Sequence, residues 1–246
     1  MLKYLLLQTK LLNLMSQTNK IVAIHQPNYI PWLGYFYKIY QCDTFVFHDD
    51  VQFSKKGLHN FHYIKTKDER LRLKIPVVEH QGMLINEVII KNNIDWKSEH
   101  LHRMKDSYSK APCFAEVYAD FEKLFSSEQS NLALFNVEII QFICAKFGFT
   151  RDYIFASELN LKSVREEKVL DINRGLNAKV YYSGTGASVY QNEEDFQARG
   201  IELKYSNYQP FEYPQFWGEF ESNISIIDYL MHCGYDWGRV LDNNKL

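Results

Sequence analysis

Two short apolar runs, Ile21–Val22–Ala23–Ile24 and Thr44–Phe45–Val46–Phe47, flank a proline-pinned loop and a helical pattern, and that succession admits few folds. The first run is β-branched and too short for a helix, which predicts a buried strand ending at His25. Pro27 and Pro31 bar regular pairing over the next residues, so a rigid irregular loop is expected, with Asn28 and Tyr29 projecting from it. From Trp32 the pattern turns helical, with Phe36, Ile39 and Tyr40 on one face. The second run predicts another strand, ending at His48–Asp49–Asp50. Ligands of open α/β sheets settle outside the carboxyl ends of the strands, which puts the candidate site at these two strand ends.

The rest of the chain alternates. Val51–His59 reads as an exposed basic loop, and Phe61–Thr66 with Arg70–Val77 predicts a β-hairpin around Lys67–Asp68–Glu69. Val88–Lys91 is a short strand. Asp95 is positioned to cap a helix running to about Lys110, and apolar spacing predicts helices over Phe114–Phe125 and Leu132–Phe147, the latter stopped by Gly148. Tyr153–Ala156, Lys179–Tyr182 and Ile201–Tyr205 read as strands. Ser163–Val164–Arg165–Glu166 matches a capping box, Asn192–Ala198 a short helix, and Ser225–Asp228 the cap of a final helix. The expected fold class is α/β, Rossmann-like, a mostly parallel sheet with a helical middle section and a β-hairpin insertion. Residues 1–20 are expected to be an N-terminal extension and residues 21–246 a single catalytic domain, with a helical subdomain at about 95–148.

A chain of 246 residues with 46% hydrophobic content can bury a full core. A net charge of -2 gives no general attraction to DNA or to an anionic membrane, although Lys55, Lys56, Lys65, Lys67, Arg70, Arg72 and Lys74 form a local basic cluster. The four cysteines, Cys42, Cys113, Cys144 and Cys233, show no C-x-x-C spacing and read as free thiols of a reducing compartment, the cytoplasm. Gln8 and Lys10 interrupt the leucine-rich leader, which therefore reads as neither signal peptide nor transmembrane segment; a start at Met15 fits the polar residues after it. The aromatic content of 15% suits a sugar or nucleobase site and an aromatic core equally.

His25 is the first candidate for chemistry, since a neutral imidazole can take a proton from an amine or hydroxyl nucleophile; tying down the proline loop is its structural alternative. Asp49 and Asp50 can orient His25, hold a divalent cation or grip sugar hydroxyls, or simply form a turn. Adjacent residues of an extended chain point to opposite faces, so only one of the pair faces a site. Lys55, Lys56, His59, Asn60 and Lys65 can hold phosphate, with a solvated loop as the alternative. The Gly184–Thr185–Gly186 turn can offer main-chain N–H groups to a phosphate or acyl oxygen, or be a plain tight turn. A nucleophilic Ser183 or Ser188 would need G-x-S-x-G, which is absent. His100 and His102 are two apart and make no zinc pair, so no metal is expected.

IHQPNYIPWLGYF, DTFVFHDDVQFSKKG, Asn60 with Ile64–Lys65, YYSGTGASVY and FEYPQFWGEFESNISIIDYLMHCG together resemble the WbqC-like protein family, from about Ile21 to Gly234. Leu58–His59–Asn60–Phe61–His62 departs from the arginine and asparagine usual there. The resemblance implies a role in bacterial O-antigen and lipopolysaccharide biosynthesis. It suggests an acyl- or aminoacyltransferase, glycyl transfer included, that modifies the amino group of a nucleotide-linked amino-deoxy sugar. The partners implied are that nucleotide sugar and an acyl donor of unknown identity; a homo-oligomer stays open. Carried onto matching positions, the site comprises His25, Gln26, Asp49, Asp50, Gln52, Asn60, Lys65, Gly184, Tyr213, Gln215 and Asp228, with Asn28, Lys55, His59 and Thr185 beside them. Two alternatives accompany this expectation: a nucleotidyltransferase-like enzyme, and a non-catalytic sugar-nucleotide-binding partner of the assembly machinery.

Overall fold

The computed structural model describes residues 19–189 and 191–245, so the leader up to Thr18 lies outside the described residues. In chain order its elements are β1 (Ile21–His25), α1 (Leu33–Tyr40), β2 (Thr44–Phe47), β3 (Phe61–Lys65), β4 (Arg70–Lys74), β5 (Val77–Val78), β6 (Ile89–Ile90) and α2 (Trp96–Tyr108). There follow α3 (Phe114–Phe125), α4 (Leu132–Lys146), β7 (Asp152–Phe155), α5 (Arg165–Gly175) and β8 (Val180–Ser183). The last are α6 (Glu193–Gln197), β9 (Glu202–Tyr205), α7 (Ile226–Cys233) and α8 (Trp237–Asn243). These residues form two compact units. The first holds the described residues up to His25, Lys38–His48 and Arg151–Asn207; the second holds Gln26–Tyr37, Asp49–Thr150 and the chain from Tyr208 on.

The first unit is built on a five-stranded, all-parallel sheet of order β7-β2-β1-β8-β9. The chain winds outward from β1 through β2 to β7, then returns to the other side of β1 to lay down β8 and β9. Counted along this sheet, the order is 3-2-1-4-5, the Rossmann-like arrangement, and the direction reverses between β1 and β8. Both faces are covered, so β2 and β8 are buried at every position and read as apolar runs rather than alternating strands. Val22, Ile24, Val46, Tyr181 and Leu203 pack with Leu170 and Ile172 of α5 and Phe196 of α6. Tyr181 stacks on Phe196 at 5.3 Å. Each such side chain contributes roughly 1.5–3 kcal/mol on full burial.

The expected capping box at Ser163 does not form. Helix α5 starts at Arg165, its cap position is Val164, and the Ser163 hydroxyl is buried without a partner. Arg165 enters at φ +55, which leaves Ser163 one residue too early to reach the first helical N–H groups. Glu166 and Glu167 instead meet the positive helix end.

In the second unit β3 and β4 form the expected antiparallel hairpin, Phe61 opposite Lys74 through Lys65 opposite Arg70. Its turn closes with Thr66 N–H donating to the Glu69 carbonyl at 3.2 Å. The helical middle section follows: Asp95 caps α2 and Asn131 caps α4, each by accepting a main-chain N–H three residues on. Gly148 ends the α4 region at φ +84, where a side chain would be strained. Ser225 caps α7, and a further short helix, α8, lies beyond the last one expected. Aromatic content goes chiefly into packing, as where Trp237 meets Phe147 and Phe149 at 4.8 and 4.9 Å. No helix of the described residues is long and apolar enough to cross a membrane.

Candidate functional site

At the carboxyl edge of the first unit's sheet, His25 is half-buried at the end of β1, paired with Phe47 of β2. Its carbonyl accepts the His48 N–H at 2.8 Å. The β1–β8 ladder ends two residues sooner, at Ala23 opposite Tyr182, and the same register carried two residues further would set Gly184 opposite His25. Main-chain groups alternate from side to side along a strand. Since the His25 carbonyl turns toward β2, the Ile24 carbonyl turns toward β8. It is met there by the Lys38 ammonium, at 2.8 Å.

Gly184 has φ -78 and ψ 147, a conformation open to any residue, and a Cβ built on it or on Gly186 would meet nothing within 4 Å. Neither crowding nor backbone geometry therefore requires these glycines. Gly184 is followed by a short 3-10 turn, closed by Ala187 N–H on the Gly184 carbonyl at 3.0 Å and Ser188 N–H on the Thr185 carbonyl at 3.2 Å, with Thr185 exposed. The first turn of α6 carries Glu193, Glu194 and Asp195, which repel an anion, so any phosphate contact falls to the glycine turn itself. Ser183 donates to Gln191 at 2.8 Å, a bond with no base in it.

In the second unit the proline loop is held from several sides. Asn136 Nδ2 donates to the carbonyls of Pro27 at 2.9 Å and His59 at 2.7 Å, and Tyr29 N–H donates to the Leu58 carbonyl at 2.9 Å. His100 Nδ1 and the Tyr29 hydroxyl share a buried hydrogen bond of 2.8 Å. Asn28 and Tyr29 consequently do not project; both are buried. Ile30 is a β-branched residue at φ +41, a strained conformation that such surroundings over-determine. The Gln26 carbonyl accepts the Tyr35 hydroxyl at 2.9 Å.

Asp49 is buried, its carboxylate bonded by the Asn86 amide at 3.3 Å, and Asp50 is half-buried. Gln52 bridges Leu84 through the main chain, and exposed Lys55 pairs with Glu79 at 2.7 Å. Asn60 donates to the Ile75 carbonyl at 2.8 Å. His59 packs over Gly57 and against Phe53, and burial pushes its imidazole down to about 4, so it is uncharged at neutral pH. Asn28 Oδ1, Asn136 Oδ1 and His59 Nδ1 are buried acceptor-capable atoms without a protein partner.

A second group of expected residues binds itself together. The Asp228 carboxylate accepts from Tyr108 at 2.9 Å and Tyr213 at 3.0 Å, and Gln215 donates to Tyr213 at 3.2 Å. The buried ammonium of Lys65 donates to Gln215 Oε1 at 3.1 Å and to the Glu219 carbonyl. Burial raises Asp228 above the usual carboxylate range, against the opposing pull of His232 and the two tyrosine donors. Lys65 thus has protein acceptors where a diphosphate was expected.

Of the residues singled out in the sequence, His25, Gly184 and Thr185 belong to the first unit. Gln26, Asn28, Asp49, Asp50, Gln52, Lys55, His59, Asn60, Lys65, Tyr213, Gln215 and Asp228 belong to the second. Lys38 was missed, although it is the one charged residue in an otherwise apolar and aromatic helix, LGYFYKIY. A helix hydrophobic all round is buried, and its lysine with it. Among the described residues no cluster of three or more His, Cys, Asp or Glu side chains is placed to hold a metal ion.

The model of the WbqC-like protein family matches residues 26–239. The chain is also similar to Uncharacterized protein Rv1507c of Mycobacterium tuberculosis, 33% identical over 221 residues, which cover 87% of this chain and 94% of that protein. No solved structure gives a significant match.

Proposed function

The chain belongs to the WbqC-like protein family, and we propose that it is a cytoplasmic acyl- or aminoacyltransferase, with glycine among its acyl groups, that modifies the amino group of a nucleotide-linked amino-deoxy sugar used in bacterial surface polysaccharide. The observation that carries this reading is His25 at the carboxyl end of the central strand, beside the point where the strand order reverses, with Gly184 directly following the neighbouring strand β8. Nucleotide ligands of such sheets bind at that crevice.

In this reaction the sugar's amine nitrogen attacks the carbonyl carbon of an activated acyl donor. The new N–C bond forms and the bond to the donor's leaving group breaks, its electron pair departing with that group. His25 takes the proton that the nitrogen loses and passes it to the leaving group. The glycine turn lets phosphate or the developing oxyanion come close to main-chain N–H groups.

Incubation of the purified protein with nucleotide-linked amino sugars and a panel of acyl and aminoacyl donors, read by mass spectrometry, tests the proposal. Mass gain on the sugar, lost in His25→Ala, is the expected result; an unmodified sugar pool across all donors overturns it.

A further inference from the structure

Lys38 is 4% exposed and makes one hydrogen bond, to the Ile24 carbonyl. Among the described residues no carboxylate pairs with it. An ammonium has three donors, so two have no protein acceptor, and a buried charge in that condition either finds an anion or gives up its proton. Burial indeed brings Lys38 down from the ordinary 10.5 to about 7. The Cys42 thiol is the titratable group that acts on it. That thiol is pushed up to about 12 with Arg151 and Asp43 as its own charged neighbours, and so stays neutral. His25 ends β1 and His48 follows the end of β2.

The ammonium lies on the β8 side of β1, where main-chain pairing between those strands has just stopped. Gly184 follows two residues after Tyr182, the last β8 residue of that ladder, with open space where a Cβ would be. A buried cation with open donors and a glycine with free space beside its main chain both fall where β1 and β8 part, at the sheet's switch point.

We propose that Lys38 and the main chain at Gly184–Thr185 form an anion subsite for the phosphoryl groups of a nucleoside diphosphate. The inference rests on the transferase reading for the nucleotide alone; the subsite is defined by its own residues. A bound phosphate supplies the acceptors that Lys38 lacks and restores its charge, so binding takes up a proton above pH 7.

The test is calorimetric titration of the whole protein with UDP, inorganic pyrophosphate and acetate, in buffers of different ionisation enthalpy, from pH 7 to 9. UDP and pyrophosphate are expected to bind with proton uptake and to weaken up to about tenfold per pH unit, while acetate binds poorly. Lys38→Met, apolar and of similar length, should lose at least tenfold in affinity together with the pH dependence. His25→Ala should keep UDP binding. Equal binding by the wild type and Lys38→Met, or binding without proton uptake, overturns the subsite and leaves the transferase reading standing. Failure of the wild type to bind either phosphate probe also overturns it, and the wild-type pH series needs no variant to fold. Loss of sugar modification in the mass-spectrometric assay, with the Lys38-dependent binding intact, counts against the transferase reading alone.

Discussion

The Lys38 ammonium and the Ile24 carbonyl stand 2.8 Å apart inside the first unit, a hydrogen bond between a charge and a neutral dipole that leaves the charge uncompensated. A lysine whose folded-state value is lowered to about 7 contributes stability that is complete above its unfolded value and lost as pH falls toward 7. Lys38→Met should therefore be more stable than the wild type at pH 7, by on the order of 2–4 kcal/mol after the lost hydrogen bond is subtracted. The gap should close toward pH 10. Urea unfolding of both proteins at pH 7 and 9.5 checks this, and a variant less stable at pH 7 contradicts it.

Gly184→Ala separates folding from binding. The site has space for a Cβ and an ordinary φ, so the melting temperature should match the wild type and the unfolding free energy should stay within about 0.5 kcal/mol. Pyrophosphate affinity should nevertheless fall severalfold, because the methyl group stands where the ligand approaches. Unchanged affinity would remove Gly184 from the subsite.

Burial lowers His59, His62 and His100 each from 6.5 to about 4. Their contribution is present above pH 6.5 and is lost as pH falls toward 4, on the order of 3 kcal/mol for each fully buried ring. The second unit should thus lose stability steeply between pH 6.5 and 4, measurable as a falling melting temperature with loss of near-ultraviolet aromatic signal. A flat profile there would show that these rings protonate in place.

Asp228 works in the opposite sense. Its raised value means a contribution present at acid pH that fades as pH climbs through the folded value, one group against three histidines. Asp228→Asn should gain on the wild type as pH rises from 4 to 8. Tyr213→Phe, which removes the donor 3.0 Å from the carboxylate, should cost about 1–3 kcal/mol at pH 7 and less in the Asp228→Asn background. A double-mutant cycle in urea measures the coupling.

Periodicity made the long elements legible. Phe114–Phe125 is helical as the apolar spacing requires, and the Lys67–Asp68–Glu69 turn joins the hairpin it implied. Strand ends were legible too, because the β1 and β2 runs are short and unbroken, which placed His25 at a carboxyl end. Tertiary choices were not. Ser163 carries a cap signature, but the φ of Arg165 decides where the helix begins. Ser225 caps as its motif suggests, whereas Asp228, the other end of that motif, turns inward to two tyrosines distant in sequence. Lysines are normally solvated, and that general expectation hid Lys38, whose burial depends on an acceptor brought in from another element of the fold.

The proline loop owes its closure to residues made last. The Ser225 hydroxyl donates to the Ile30 carbonyl at 3.0 Å and the Ile226 N–H to the Pro31 carbonyl at 3.0 Å, across 195 positions of sequence. During synthesis, a nascent chain can lay down the loop early but cannot satisfy it until α7 has left the ribosome. The left-handed Ile30 is then held by contacts that arrive at the end, so a chain released before Ser225 should leave the loop open and vulnerable to proteases, however complete the hairpin and the helical middle section already are.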